Sequence, residues 1–230
     1  MLDAKGLLDR VLGGQSGGAG MGPSLGGLGT GALAGGLAAI LLGTKTGRKL
    51  GGSALKLGGI AAVGALAYKA FQDWQAGKSL AGTAQQPPDM RALPPPSGTP
   101  FNPADEAGQQ SLARGLLRAM IAAAKADGHI DAQEQARVFA EIDRLGLRAE
   151  DKAFVIDELR STLDVDAVAA AATTPEQAAE IYAASLLAID PDNAAERGYL
   201  AMLAARLNLD DKLVAHLHQS VAAAAPAQPA

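Results

Sequence analysis

Four side chains that can bind a cation or activate water lie close together at residues 127–134, here called the acidic turn. Asp127, His129, Asp131 and Glu134 fall within eight consecutive positions. Carboxylate and imidazole groups at this density are ligands for hard and borderline cations. The spacing from Asp131 to Glu134 is also that of a helix-capping pair, which satisfies backbone groups without any ligand. We favour capping, and keep a divalent-cation site at Asp127, Asp131 and Glu134 as the alternative.

The acidic turn does not match the EF-hand calcium loop. Counted from Asp127, Ala132 stands at the glycine position and Val138 at the position of the bidentate glutamate. A metal-dependent hydrolase is therefore the weakest alternative, since no nucleophile or general base accompanies the carboxylates.

Three further carboxylates, Asp190, Asp192 and Glu196, form a parallel group that we call the second acidic turn. The same two interpretations apply, because Asn193 and Glu196 also have the spacing of a capping box. We predict these three carboxylates as a surface for a protein partner of unknown identity. If the two turns meet in space, they form one acidic patch.

No arrangement of residues in the sequence matches a known catalytic site. His216 and His218 are two positions apart and therefore point to different faces of a helix, unlike a zinc-binding pair. The serines lack a nucleophile elbow, the glycines lack a phosphate-loop or dinucleotide context, and cysteine is absent. We therefore expect a protein that is not an enzyme and has no cofactor beyond the alternative divalent cation.

Charge divides the chain into two parts with opposite preferences for partners. Residues 1–103 contain 9 basic and 4 acidic residues, a net charge of +5. Residues 104–230 contain 11 basic and 20 acidic residues, a net charge of −9. A basic segment is attracted to an anionic membrane surface, whereas an acidic domain is repelled by phosphate backbones. We therefore expect a membrane contact and no nucleic-acid partner.

Residues 25–43 form an uncharged run of 19 residues, close to the roughly 20 that an α-helix needs to cross a bilayer. Gly27, Gly31 and Gly35 recur every four residues, so they share a helix face that a neighbouring backbone can approach closely. We predict a retained membrane span, with helix packing and homo-oligomers through this glycine zipper. The alternative is a flexible segment, because each interior glycine costs about 1 kcal/mol relative to alanine.

A second apolar stretch at residues 50–67 leads into Tyr68, Phe71 and Trp74, which share one helix face. Aromatic side chains beside lysines are typical of a membrane interface, and a packed aromatic face is the alternative. The basic cluster between the two apolar stretches should face the cytoplasm. We favour one full span, a shallow or re-entrant second stretch, and a cytoplasmic C-terminal part.

Prolines separate this membrane-associated part from a helical one. Residues 79–103 are predicted as a Pro-rich linker, because proline prevents helix continuation and favours extended chain. Residues 104–222 have helical periodicity and no strand-like run, so we predict an all-α fold with a compact bundle of about seven helices. Residues 1–24 are predicted as a flexible or amphipathic N-terminus, 25–78 as the Gly-rich membrane-associated segment, and 223–230 as a disordered tail.

Capping residues predict several helix ends. Asn102 with Pro103 is predicted to open the first helix of the bundle. The segment 174–177, Thr-Pro-Glu-Gln, has the pattern of a capping box. Gly146 and Asn208 are predicted to end two helices, because glycine and asparagine tolerate the left-handed conformation best.

Three segments together carry a family resemblance. They are AMIAAAKADGHID from Ala119 with the following Glu134, IYAASLLAIDPDNAAERGYLAMLAARLNL from Ile181, and LGGIAAVGALAYKAFQ from Leu57. In these the chain resembles the YebE-like family of uncharacterised bacterial inner-membrane proteins, which carry a TerB-like, tellurite-resistance-associated C-terminal domain. The resemblance implies that residues 104–222 form a TerB-like helical domain. It also implies that the carboxylates of the acidic turn contact an ion or a partner, with those of the second acidic turn as weaker counterparts.

The sequence therefore predicts a non-enzymatic, membrane-anchored interaction module at the bacterial inner membrane. Its helical domain is expected in the cytoplasm, and the resemblance adds the context of an envelope or metal and tellurite stress response. The alternative is a membrane-remodelling or pore-like assembly, held together by the glycine zipper and regulated by the helical domain.

Overall fold

The chain folds as a helical bundle in the part that the structure describes. The computed structural model describes residues 3–6, 59–78, 97–126, 149–189 and 194–224. Within these ranges the helices are α1 (Gly59–Gln75), α2 (Glu106–Ala124), α3 (Ala149–Arg160), α4 (Val165–Ala169), α5 (Pro175–Ala188), α6 (Ala194–Arg206) and α7 (Asp211–Ala224). No strand occurs among the described residues, beyond an isolated bridge between Thr99 and Asn102. The predicted all-α fold is confirmed.

Helix α5 is the centre of the bundle. It packs against α1, α2, α4, α6 and α7, and every residue from Ala178 to Ala188 except Leu187 is buried. A helix buried on all sides needs apolar or small residues all round, which this alanine-rich segment supplies. Its larger core side chains include Ile181 and Tyr182, both almost fully buried.

Helix α1 belongs to the same core as the helices that follow the linker. It packs against α5 and α7, and Val63, Leu66 and Phe71 are buried at 1, 2 and 6 % exposure. The core therefore extends across the predicted domain boundary at residue 104. The apolar face of α1 is covered by protein, because the two helices it contacts bury it.

The aromatic residues of α1 form a packed cluster with Phe101. The Phe101 ring lies edge-on to Tyr68, with 5.5 Å between ring centroids, and to Phe71, at 5.7 Å. Phe71 also contacts Trp74, at 5.4 Å. Tilted and edge-to-face pairs at these distances are favourable for aromatic rings. The aromatic face of α1 therefore packs against protein. This is the alternative to the membrane interface that the sequence suggested.

The predicted membrane span falls on residues that the structure does not describe. Residues 25–43 lie outside the described ranges, and with them Gly27, Gly31 and Gly35. Among the residues that are described, no helix combines the length and the apolar character needed to cross a bilayer. The span and the glycine zipper stay predictions.

Residues 3–6 are attached to the bundle. The Asp3 N–H donates to the Asp151 carboxylate at 2.8 Å, and the Lys5 N–H donates to Gln110 Oε1 at 3.1 Å. The Gln110 amide donates back to the Asp3 carboxylate at 3.1 Å. Ala4, between them, is fully buried. The start of the chain is therefore docked on α2 and α3.

The first turn of α2 differs from its prediction. Asp105 is the N-cap, because its carboxylate accepts from the Gly108 N–H at 2.7 Å. The predicted start at Asn102 and Pro103 is wrong by three residues. Asn102 instead donates its N–H to the Thr99 carbonyl at 2.9 Å and so closes a tight turn ahead of the helix. An aspartate at the N-cap satisfies a free backbone N–H of the first turn.

The start of α5 follows the predicted capping box with one change. Thr174 Oγ1 accepts from the Gln177 N–H at 3.3 Å, and Pro175 occupies the first turn. In the standard motif the Gln177 side chain would accept from the Thr174 N–H, and here it does not. It accepts from the Thr173 N–H at 2.9 Å and from the Thr173 hydroxyl at 2.7 Å. The glutamine therefore caps one residue earlier than the standard motif.

The end of α6 confirms the role predicted for Asn208. Its φ angle is 51°, in the left-handed region. The Leu209 N–H donates to the Ala204 carbonyl at 3.0 Å, and the Asn208 N–H donates to the Ala205 carbonyl at 3.2 Å. This pair of bonds is the Schellman motif, which satisfies the last carbonyls of a helix. Gly146, the predicted counterpart, lies outside the described residues.

Candidate functional site

Most of the predicted site residues lie outside the described part of the chain. They are Asp127, Asp131 and Glu134 of the acidic turn, and Asp190 and Asp192 of the second acidic turn. Their roles as cation ligands or partner contacts stay predictions. Among the residues that are described, no three His, Cys, Asp or Glu side chains are grouped so that they could hold a metal ion.

Glu196 is the described member of the second acidic turn. It lies in the first turn of α6 and is only 7 % exposed. A carboxylate at this position interacts favourably with the positive end of the helix dipole. Little of the side chain is exposed, and its role as a partner contact stays a prediction.

A polar cleft opens where α2 ends. It has a volume of about 360 Å³ and lies between the last turns of α2 and α3 and the start of α4. Its charged and hydroxyl-bearing lining residues are Arg118, Lys125, Asp157, Glu158, Ser161, Thr162 and Asp164. Lys125 precedes Asp127 by two residues. The chain therefore enters the acidic turn directly from this cleft.

Lys125 joins the ends of α2 and α3. Its ammonium group donates to the Glu158 carbonyl at 2.8 Å and also to the Ser161 carbonyl. The last carbonyls of a helix lack partners within the helix and favour a cation, so this contact stabilises the end of α3. Burial lowers the pKa of Lys125, and the nearby Glu158 carboxylate opposes that shift.

An ion pair forms one wall of the polar cleft. Arg118 Nε and Nη2 both donate to Glu158 Oε1, at 2.8 and 2.6 Å. The arginine of the cleft is thereby committed to a partner inside the protein. Asp157 and Asp164 are exposed at the rim. The Asp164 carboxylate also caps α4, where it accepts from the Ala167 N–H at 2.9 Å.

His218 and Tyr182 connect α7 with α5. The Tyr182 hydroxyl lies 2.9 Å from His218 Nε2, and the ring centroids are 5.9 Å apart. Burial lowers the pKa of His218 and raises the pKa of Tyr182 to about 12. Both shifts favour the neutral groups, which share a hydrogen bond at this seam. His216, two residues earlier, is buried at 5 % exposure.

Ser185 is buried at the junction of α2, α5 and α6. Its Oγ lies 3.4 Å from the Ala119 carbonyl and 3.4 Å from the Tyr199 hydroxyl. Burial raises the pKa of Tyr199 to about 12, and the hydrogen bond with Ser185 opposes that rise. A nucleophilic serine needs a general base in reach. The partners of Ser185 are a carbonyl and a phenol, so its role is structural.

A carboxyl group in the middle of α5 is buried without a partner. Glu180 is 0 % exposed, and neither of its oxygens has a hydrogen-bond partner within the described part of the chain. Burial raises the pKa of Glu180 well above its ordinary value. The motifs in the sequence do not single out this residue. The signal was present, since Glu180 is the single charge in the segment AAEIYAA from Ala178.

A second opening, here called the aromatic groove, lies beside the C-terminal turn of α1. Its volume is about 500 Å³. The apolar residues that line it include Phe71, Trp74, Pro175, Ala178, Leu207, Leu209 and Leu213. Trp74 Nε1 donates to the Asp210 carboxylate at 3.2 Å. That bond ties the end of α1 to the start of α7.

Comparison with known proteins gives a family and a distant relative. The family model described as "Protein of unknown function (DUF533)" matches residues 27–221. The "Uncharacterized protein in ampR 5'region" of Yersinia enterocolitica is 28% identical over 106 residues, which is 46% of this chain and 76% of that protein. No solved structure matches the chain. Because the family match covers well over half of the chain, from the predicted membrane span into α7, this protein belongs to the DUF533 family.

Proposed function

We propose that this chain is a non-enzymatic interaction module, anchored to the bacterial inner membrane through residues 25–43, that recruits a protein partner to its helical domain in the cytoplasm. The partner surface consists of the acidic turn together with the exposed carboxylates at the rim of the polar cleft. A divalent cation held by Asp127, Asp131 and Glu134 is an optional bridge in this contact. The context of envelope or tellurite stress comes from the resemblance to TerB-like domains.

The observation that carries the proposal is the acidic excess of the helical domain, together with two exposed carboxylates in the lining of the polar cleft. Residues 104–230 have a net charge of −9, and Asp157 and Asp164 are exposed at the mouth of the polar cleft. A surface of one sign attracts a partner of the opposite sign and speeds the encounter. The expected partner therefore presents lysine and arginine side chains.

Removing charge from the acidic turn tests the partner surface. Crosslinking in cells followed by mass spectrometry identifies the partner, and its recovery is then compared between variants. Asp127→Ala combined with Asp131→Ala is expected to lower recovery about fivefold to tenfold, if each lost contact is worth somewhat under 1 kcal/mol. Circular dichroism should show at most a small loss of helical content, since a lost cap at Asp131 costs about 1 kcal/mol and affects one helix end.

The matched control also removes two negative charges, but at exposed positions outside the acidic turn. Glu106 and Asp211 are exposed and lie in the first turns of α2 and α7. Glu106→Ala combined with Asp211→Ala should leave recovery at the wild-type level. Equal recovery from the two double variants would show that the acidic turn is not the contact.

Cell fractionation with protease accessibility tests the anchor and its orientation. The full chain is expected in the membrane fraction after a high-salt wash, because apolar burial does not depend on salt screening. Protease added outside intact spheroplasts should leave the helical domain uncut until the membrane is permeabilised. A chain that stays soluble without detergent and does not bind lipid vesicles would rule out the anchor.

The glycine spacing supports a second candidate, a membrane assembly regulated by the helical domain. Gly31→Leu is expected to reduce crosslinked oligomers, since leucine blocks close approach of helix backbones. Gly29 lies two residues away, on another helix face, so Gly29→Leu is the control. If both variants crosslink like the wild type, the glycine face does not assemble.

A further inference from the structure

The centre of the bundle contains one acidic side chain that nothing described in its surroundings neutralises. Glu180 lies on α5, the helix that packs against five others. The side chain is 0 % exposed, and both carboxyl oxygens lack a hydrogen-bond partner in the described ranges. Buried polar groups are nearly always paired, and an unpaired buried charge costs an amount comparable with the net stability of a domain. The neutral acid is therefore the form that this position can accommodate.

The charged groups on the helices around α5 are held in other contacts. Asp73 of α1 is paired with Lys69 and Lys78, and Arg118 of α2 is paired with Glu158. On α4, Asp166 is exposed and pairs with Arg206 of α6. The remaining buried or half-buried titratable groups on these helices are Tyr68 in α1, Glu196 and Tyr199 in α6, and His216 and His218 in α7. None of them supplies Glu180 with a hydrogen bond or an ion pair.

We propose that Glu180 is a proton-dependent latch: α5 is fully packed in the bundle while this side chain carries its proton, and loss of the proton loosens α5 from the helices around it. The ionised form gains water only if the core opens. The device adds to the proposed interaction module a dependence of its packing on pH, with the looser state at higher pH.

The sign of the effect follows from the two states of the chain. Burial raises the pKa of Glu180 in the folded protein, whereas in the unfolded chain the group has an ordinary pKa of about 4.3. Below that value both states bind the proton, and the contribution to stability is fully present. As pH rises through the window between the two pKa values, only the folded state keeps the proton, so stability falls.

Unfolding of the full chain by urea between pH 5 and pH 9, in one fixed detergent, tests the latch. The wild type is compared with Glu180→Gln, which keeps the shape of the side chain and cannot ionise. The wild-type unfolding constant, divided by that of the variant, is expected to rise by up to tenfold per pH unit, which is about 1.4 kcal/mol. Parallel profiles for the two proteins would overturn the proposal.

Two further variants keep the outcome decisive. Glu180→Met supplies the same comparison if the glutamine amide prevents folding, since methionine fills irregular core space. Glu176, one turn earlier on α5 and partly exposed, gives the control Glu176→Gln, whose profile should stay parallel to the wild type. The ratio of α5 amide exchange rates, wild type over Glu180→Met, should be larger at pH 9 than at pH 5, because intrinsic exchange cancels in the ratio. A ratio that does not change with pH would also overturn the latch.

Discussion

At the scale of single residues, a pair of salt bridges at the edge of the core stabilises the last turn of α1. Asp73 is 5 % exposed, and its carboxylate lies 2.5 Å from Lys69 Nζ and 2.7 Å from Lys78 Nζ. Burial raises the pKa of Asp73, but the hydrogen bonds from the two lysines outweigh it and the net pKa is lowered. Asp73 therefore stabilises the fold in its ionised form.

Replacing this carboxylate should give a loss of stability that depends on pH. Asp73→Asn is expected to lower the free energy of unfolding by about 1 to 2 kcal/mol at pH 7, because the amide loses charge-assisted bonds. The wild-type advantage is present above the unfolded pKa of about 3.9 and is lost as pH falls through the lower folded value. Urea unfolding at pH 7 and pH 3 measures it. An equal difference at both pH values would contradict the ionised pair.

His218 should stabilise the fold at high pH, whereas Glu180 does so at low pH. Burial lowers its pKa, so its contribution is present above the unfolded pKa of about 6.5 and is lost as pH falls through the folded value. His218→Gln keeps a hydrogen-bonding group for Tyr182 and does not titrate. Thermal unfolding at pH 7.5 and pH 5 should show a smaller loss of stability in this variant than in the wild type. An equal loss would place the titrating group elsewhere.

At the scale of helices, glycines inside α2 and α6 differ in what surrounds them. A Cβ added to Gly198 in α6 would meet no atom within 4 Å. A Cβ added to Gly115 in α2 would lie 3.2 Å from the Ala171 Cβ, which is a tight contact. Alanine is favoured over glycine in any helix interior. Substitution at Gly198 therefore reports helix propensity alone, whereas substitution at Gly115 also reports the cost of a tight packing contact.

Paired glycine substitutions test that separation. Gly198→Ala is expected to raise the free energy of unfolding by about 0.5 to 1 kcal/mol, because it lowers the entropy of the unfolded chain without strain. Gly115→Ala should gain less or lose stability, because α2 must move away from Ala171. Urea denaturation of both variants provides the measurement. Equal gains at the two positions would mean that α2 has room that the structure does not show.

At the scale of the whole molecule, α1 makes the bundle larger than the helical region that follows the linker. Burial of Val63, Leu66 and Phe71 on α5 and α7 contributes roughly 1.5 to 3 kcal/mol for each side chain, as an upper bound. The net stability of a domain is about 5 to 15 kcal/mol. Before the entropy of ordering α1 is subtracted, this burial term is of the same order as the net stability of the bundle.

Truncation tests this dependence directly. A fragment of residues 59–230 is expected to unfold cooperatively, since it keeps α1 and Phe101. A fragment of residues 104–230 should melt at a much lower temperature or aggregate, because it exposes the faces of α5 and α7 that α1 covers. Circular dichroism melting and size-exclusion chromatography compare the two. Similar melting temperatures would show that α1 is dispensable for the bundle.

Local signals made much of this fold predictable from the sequence. Thr174 and Asn208 were correctly placed at helix ends, because a cap depends on a few adjacent residues. The partners of α1 were not predictable in the same way, since an apolar face with Tyr68 and Phe71 suits lipid and protein equally. Burial of Glu180 and the contacts of Lys125 depend on segments distant in sequence, which periodicity alone does not reveal.

The docking of residues 3–6 restricts how the intervening chain can travel. Asp3 and Ala4 are fixed on α2 and α3, and α1 is fixed on α5 and α7. Residues 3–6 and α1 are therefore held by the same helical body, although 52 residues of chain separate them. Bringing the ends of so long a stretch together costs little more than for a shorter one, because the entropic cost of closure rises only with the logarithm of the length.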